Sequence, residues 1–201
     1  MHSLFDLLYN FHWVDPGRAA RAAQAYAGFL GPFLEARGIR AVINLRGPNP
    51  RFRWWRYETN ACARADVVHR DAKLNSRQLP TRAMLIDLIG AFDTAPQPFL
   101  LKCSGGQDRT SFAAALYLLN ARGWGAMADA DAQFAQWPYL HLPRREQRWL
   151  RLFPAFALEN AAGAPLRDWI TARYSPEDFG LWLEARGERG SFRKIYGAPH
   201  A

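Results

Sequence analysis

Lys102-Cys103-Ser104-Gly105-Gly106-Gln107-Asp108-Arg109-Thr110 is the stretch on which the reading of this chain turns. An apolar run, Pro98-Phe99-Leu100-Leu101, precedes it, and a helix-like run from Ser111 to Arg122 follows. That order predicts a buried strand, a tight loop and a helix N-terminus, with a thiol at the centre. A five-residue loop entering a helix can aim successive backbone N–H groups at one point and so form an anion nest. The helix adds unpaired N–H groups and the positive end of its dipole. Gly105 and Gly106 open dihedrals closed to other residues and allow close approach of backbone to ligand. Arg109 offers a planar fork matched to two phosphate oxygens. The same positive field is expected to lower the Cys103 pKa, leaving a thiolate poised for in-line attack on a bound phosphorus. Ser104, Gly105, Gly106, Gln107, Asp108 and Arg109 are therefore the expected phosphate cradle. Cys103 is the expected nucleophile, and Thr110 a hydrogen-bond partner for its sulfur. Gln107 is in reach of an attacking water. A lone cysteine after an apolar strand is ordinarily a small buried hydrophobe; the two glycines, the Arg-Thr step and the strand–loop–helix order together favour the reactive reading.

The segment resembles the active-site loop of the protein tyrosine and dual-specificity phosphatase superfamily, Cys-x5-Arg followed by Ser or Thr. Its Asp-Arg-Thr ending is similar to the atypical dual-specificity branch of bacteria and fungi, and to the myotubularin-type lipid phosphatases. Upstream, Arg21-Ala22-Ala23-Gln24-Ala25 resembles the Arg-Ser-x-Gln-Pro motif of the atypical branch, and Gly38-Ile39-Arg40-Ala41-Val42-Ile43-Asn44-Leu45-Arg46 its Gly-Ile-x-x-Val-Ile-Asn-Leu-Arg strand. The resemblance covers roughly residues 14 to 122. Two positions depart from it: Lys102 stands where the superfamily usually has histidine, and Ser111 where glycine commonly follows Arg-Thr. Neither removes the nucleophile or the phosphate grip.

A phosphate ester needs a proton for its leaving oxygen, and two carboxylates compete to supply it. Asp108, inside the loop, resembles the aspartate given that task in myotubularin-like enzymes. Asp71, just after a strand expected over Asp66 to Arg70, resembles the acid on the mobile loop of ordinary dual-specificity phosphatases. The residue-for-residue match of Asp-Arg-Thr favours Asp108. Cys62 is a candidate partner for a protective disulfide with Cys103, as the resemblance implies for a few members, or else a buried helix residue.

Composition fits one compact enzyme. The chain has 201 residues, 49% hydrophobic and 22% charged, which suffices for a single sizeable core. No run has the length of a membrane span, and the N-terminus, with Asp6 and no basic stretch, does not read as a secretory signal. Two cysteines provide no disulfide framework, and a reactive thiol suits a reducing compartment, so the cytoplasm is the expected location. The five histidines, His2, His12, His69, His141 and His200, show no metal-ligand spacing, and no cofactor or metal is expected. A net charge of +8 favours polyanionic partners. A phosphorylated protein or a small polyanionic phosphate ester is expected as substrate; nucleic acid is not. In Arg51-Phe52-Arg53-Trp54-Trp55-Arg56-Tyr57, basic and aromatic residues alternate beyond a strand end, where loops rim the ligand crevice of an open α/β sheet. The stretch reads either as a substrate clamp or as a helix start with its arginines in solvent.

Strand and helix signals alternate. Helices are expected over Ala25 to Arg37, Trp55 to Ala65, from Pro80 through Phe92, and Thr110 to Arg122, with strands over Ile39 to Leu45, Val67 to His69 and Phe99 to Lys102. Beyond Gly123, helical patterns cover Met127 to Trp137, Arg144 to Phe153, Leu166 to Tyr174 and Pro176 to Ala185. The fold class is α/β, a mostly parallel central sheet flanked by helices, with a helical C-terminal extension. Residues 1–155 are expected to form the phosphatase domain and 156–201 the extension, packed on the same domain. The activity implied is metal-independent hydrolysis of phosphomonoesters, of the phosphotyrosine or dual-specificity type, through a phosphocysteine. An inositol phosphate or phosphoinositide phosphatase of the same mechanism, or a catalytically weak phospholigand-binding module, are the alternatives.

Overall fold

The computed structural model describes residues 4–26 and 28–197; His2 and His200 lie outside them, as does Ala27 in the first expected helix. In chain order the elements are α1 (Leu4–Leu8), β1 (His12–Asp15), β2 (Ala19–Ala22), α2 (Leu30–Glu35), β3 (Ala41–Asn44), α3 (Arg53–Arg64), β4 (Val68–Asp71), β5 (Gln78–Leu79), α4 (Arg82–Thr94), β6 (Phe99–Lys102), α5 (Asp108–Arg122), α6 (Met127–Ala132), α7 (Trp149–Ala161), α8 (Leu166–Ala172), α9 (Pro176–Ala185) and β7 (Lys194–Ile195). The main sheet has the order β1-β2-β6-β3-β4. Every pairing is parallel except β1 with β2. The α/β class with a mostly parallel sheet is as expected, while the hairpin of β1 and β2 carries too few β-branched residues to announce itself.

β6 occupies the centre, and its four residues are all buried. Side chains alternate across a strand, so Phe99, Leu101 and Cys103 enter one core with Ala41 and Ile43. Leu100 enters the other, with Val42, Ala20 and Ala22. The second face is covered by α2 and α3 through Leu30, Phe33, Leu34, Ala61 and Cys62. The first is covered by α4, α5 and the helices after Gly123. From Thr110 to Leu119 every residue of α5 is buried, as expected of a helix that is wrapped on all sides.

Several boundaries shift for local reasons. Thr81, not Pro80, caps α4: its side chain accepts from the Met84 N–H at 3.3 Å. The first expected helix shrinks to Leu30–Glu35, because Gly28 turns at φ +82°. Left-handed Asp66, at φ 52°, belongs to the turn before β4, so the strand runs Val68–Asp71 and Asp71 is its last residue. The helix expected over 144–153 divides into a 3-10 turn, Arg145–Gln147, and α7, which begins at Trp149 and takes Pro154 in its first turns.

The boundary expected between residues 155 and 156 falls inside α7. Phe153 of α7 sits 5.2 Å from Phe112 of α5, 5.4 Å from Tyr174 and 5.3 Å from Phe179 between ring centroids. Aromatic contacts thus run without a break from the helix behind the loop to the last helix. Tyr174 donates its hydroxyl to the Pro80 carbonyl at 2.7 Å, and β7 pairs with β5. Phe153→Ala is expected to lower stability by about 3–5 kcal/mol. Urea unfolding followed by tryptophan fluorescence and by far-UV circular dichroism should show one coincident transition moved to lower denaturant; separate transitions would mean that the C-terminal helices fold independently.

Candidate active site

Residues 103–107 close the gap between the carboxyl end of β6 and the first turn of α5, with Asp108, Arg109 and Thr110 already helical. The loop's shape is imposed from behind. Gly106 adopts φ +64°, and a Cβ there would stand 2.6 Å from the Ala23 nitrogen and 2.7 Å from the Ala22 carbonyl carbon. Only glycine fits such a position. The Gly106 carbonyl, turned away from the nest, accepts from Arg21 Nη2 at 3.0 Å and from Asn10 Nδ2 at 3.2 Å.

Arg21 is wholly buried. It also donates to Ser111 Oγ at 2.8 Å and to both oxygens of Gln133 at 3.0 Å, and it lies 4.1 Å from the Tyr139 ring centroid. Burial draws its pKa down to about 10, so it stays cationic at neutral pH. Ser111, the departure from glycine, is therefore the acceptor of a buried guanidinium. Roles for Arg21 and Ser111 were missed in the sequence. An arginine flanked by alanines on both sides was the available signal.

Cys103 is 3% exposed. Burial alone would push its thiol up, but the Arg109 guanidinium, the Thr110 hydroxyl and the backbone N–H groups of Gln107 and Gly106 outweigh it and hold the pKa below the usual thiol value. The buried Thr110 hydroxyl has no oxygen or nitrogen partner among the described residues and is left to the sulfur. Arg109 Nη2 donates to Ser104 Oγ at 3.1 Å, which folds the guanidinium back across the loop. Ser104 and Gly105 are exposed and Gln107 half-buried. The cradle is thus open to solvent above a closed floor.

The two carboxylates differ in surroundings. Asp108 stands on the first residue of α5, and its Oδ2 accepts from Gln147 Nε2 at 2.7 Å. Burial raises its pKa against the opposing pull of Arg109, Gln147, Arg77 and Arg144. His141 Nε2 lies 3.7 Å from Oδ1, and burial depresses that imidazole to about 4, so it is neutral and forms no ion pair near pH 7. Asp71 sits at the end of β4, where it accepts from Asn44 Nδ2 at 2.6 Å and from Trp55 Nε1 at 3.1 and 3.2 Å. Far from riding a mobile loop, it locks two strand ends to α3. Gln147 went unnoticed because it reaches the loop from 39 residues downstream.

The stretch 51–57 divides its labour. Trp55 serves Asp71, and the Tyr57 hydroxyl accepts the Leu30 N–H at 3.1 Å. Trp54 carries the Arg46 guanidinium at 3.4 Å from its ring centroid, with Phe52 stacked alongside at 6.5 Å. Arg46 follows β3, whose Asn44 pairs with Lys102 of β6, so this stack rises beside the loop. Cys62 belongs to the opposite core from Cys103, and burial pushes its thiol up to about 12. Both cysteines are free. Among the described residues no three His, Cys, Asp or Glu side chains are gathered as metal ligands.

No protein-family model matches the chain, and no curated protein does. Among solved structures it is similar to Pseudomonas aeruginosa TpbA, at 16% identity and TM-score 0.56 over 85% of this chain and 95% of that one. A DUF442 protein from Shewanella putrefaciens CN-32 gives 17% identity and TM-score 0.57 over 77% and 97%. PTPMT1 gives 15% and 0.55 over 76% and 98%. The fold is that of the protein tyrosine and dual-specificity phosphatase-like cysteine phosphatases. Gly106→Ala is expected to cost at least about 1–3 kcal/mol in backbone strain, and to weaken tungstate binding by displacing the nest; calorimetric titration of the anion into the folded variant checks this.

Proposed function

We propose that this protein is a metal-independent phosphatase that hydrolyses phosphomonoesters through a phosphocysteine on Cys103. The observation that carries this reading is the thiol itself, buried directly after β6 yet drawn to lower pKa by Arg109, Thr110 and two backbone N–H groups that converge on it from the loop and the first turn of α5. In the first step the Cys103 sulfur forms a bond to phosphorus while the ester P–O bond breaks. Loop N–H groups and Arg109 hold the equatorial oxygens as their charge is redistributed. The leaving oxygen takes its proton from Asp108. In the second step Asp108, now a carboxylate, removes a proton from water as the water oxygen bonds to phosphorus and the S–P bond breaks. The Thr110 hydroxyl steadies the departing thiolate, and Gln107 orients the water.

Asp108 is preferred over Asp71 as the acid because it adjoins Arg109 at the loop and burial raises its pKa, whereas the Asp71 side chain is engaged by Asn44 and Trp55 at the end of β4. Phosphotyrosine-type esters are the first substrate class. TpbA has been solved with pTyr and PTPMT1 with PI(5)P, so the fold accommodates both kinds of ligand. The proximity of Arg77 and Arg144 to Asp108, with Arg46 on the Trp54 stack, favours inositol phosphates or phosphoinositides as the second. Among the described residues no helix is long and apolar enough to cross a membrane.

Cys103→Ser should abolish metal-free turnover of p-nitrophenyl phosphate; residual turnover near the wild-type rate would sink the phosphocysteine. Asp108→Asn should lower kcat/KM about 100-fold or more. The loss should be larger for phenyl phosphate, whose leaving oxygen needs the proton more, and small for Asp71→Asn. The pH profile of kcat/KM should be bell-shaped. Its acid limb reflects ionisation of the lowered Cys103 thiol, and its basic limb deprotonation of the raised Asp108 carboxyl. Asp108→Asn should flatten the basic limb alone.

A further inference from the structure

Lys102 precedes the nucleophile, yet its side chain turns to the sheet face opposite the C-terminal helices and is 1% exposed. There it forms an ion pair with Glu58 of α3, itself buried, and donates to Gln24 Oε1 at 2.8 Å. Gln24 Nε2 donates to Glu58 Oε2 at 2.6 Å, which closes a three-membered ring of contacts. His69 on β4 meets the other Glu58 oxygen at 2.8 Å. A buried ion pair is a poor way to gain stability, since well-packed apolar residues of the same volume often do better. Its backbone connections suggest what it does instead. The Gln24 N–H donates to the Ser104 carbonyl at 3.1 Å, and the Lys102 carbonyl accepts from Leu45 N at 2.9 Å. Residues 102 and 104, on either side of Cys103, are thus gripped through one buried cluster.

We infer that Gln24, Glu58 and Lys102 are positioning residues for Cys103: Gln24 ties together the two residues flanking the nucleophile, and Glu58 holds the Lys102 ammonium behind it as a fixed positive charge. The inference rests on Cys103 being the nucleophile. Burial depresses Lys102 to about 8, with Glu58 opposing, so the ammonium persists at neutral pH and attracts the thiolate. The titratable and charged groups that face the cluster are Arg46 and Cys103 at Lys102, His69 and Cys62 at Glu58, and Arg109 and Arg21 at Cys103. Arg46 Nη1 lies 3.5 Å from Gln24 Oε1, which links the cluster to the Trp54 stack at the rim.

The test is the pH dependence of Cys103 alkylation by iodoacetamide in the full chain, with the modified peptide identified by mass. It needs no substrate. Lys102→Met should raise the apparent thiol pKa by about one unit or more, slowing alkylation about tenfold on the acid side. Because that variant strands Glu58, the double variant Glu58→Met/Lys102→Met provides a fold free of a lone buried charge. Its thiol should rise too, by less, since the repulsion from Glu58 goes with the pair. Gln24→Ala keeps both charges and should lower kcat about tenfold or more with KM nearly unchanged. A folded double variant whose Cys103 titrates as in the wild type would overturn the inference. A wild type without turnover whose thiol still shifts in the double variant would refute the phosphatase reading and support this one.

Discussion

A thiolate buried as deeply as Cys103 must be solvated by the protein, because water no longer does it. Everything nearby answers that demand. Arg109 approaches from the helix, N–H groups from the loop, and the Thr110 hydroxyl from the next residue of the helix. These donors converge only if the loop keeps its shape, and the shape hangs on the Gly106 carbonyl being turned outward and held. Arg21 and Asn10 do so. A buried guanidinium costs desolvation of its own, which Arg21 offsets through Gly106, Ser111 and both oxygens of Gln133. The chain thus stabilises one buried anion by burying a cation behind it.

That arrangement explains the size of the C-terminal half. Gln133 and Tyr139, which complete the shell around Arg21, lie beyond α5, as does Gln147, which holds Asp108. The helix that presents Arg109 is buried all round, so its far side has to be covered. The aromatic side chains of α7, α8 and α9 cover it through contacts such as Phe112–Trp149 at 5.2 Å. The final helices therefore support the candidate site's geometry through packing.

The proposed nucleophile, its proposed clamp and the strand–loop–helix around them were legible because they are consecutive: a nest, a glycine and a helix start are local objects. So was Asp108. What could not be read is what the third dimension assembles. Gln24, Glu58 and Lys102 come from three separate segments, and Gln147 is an ordinary polar residue until a 3-10 turn aims it at Asp108. The β1–β2 hairpin escaped because Ala19-Ala20-Arg21-Ala22 has no strand propensity; burial on every residue, with β6 as its neighbour, selects the strand. Asp71 was placed within one residue, yet its role depends on Asn44 and Trp55, which meet it only across parallel strands and a helix.

One physical cause, burial, acts on both groups of the proposed chemistry in the same direction and is answered differently at each. It raises the pKa of any acid, Cys103 and Asp108 alike. At Cys103 the donors are numerous and aimed at the sulfur, so the net movement is downward. At Asp108, one residue before the arginine that stabilises the thiolate, the same guanidinium and three further groups fall short, and the net movement is upward. A nucleophile needs to lose its proton early and a general acid to keep its proton late. The two pKa values move in opposite directions within six consecutive residues, and the bond from Arg109 to Ser104 Oγ, next to Cys103, holds the guanidinium toward the sulfur side. One guanidinium thus bears on two neighbouring acids whose pKa values move in opposite directions.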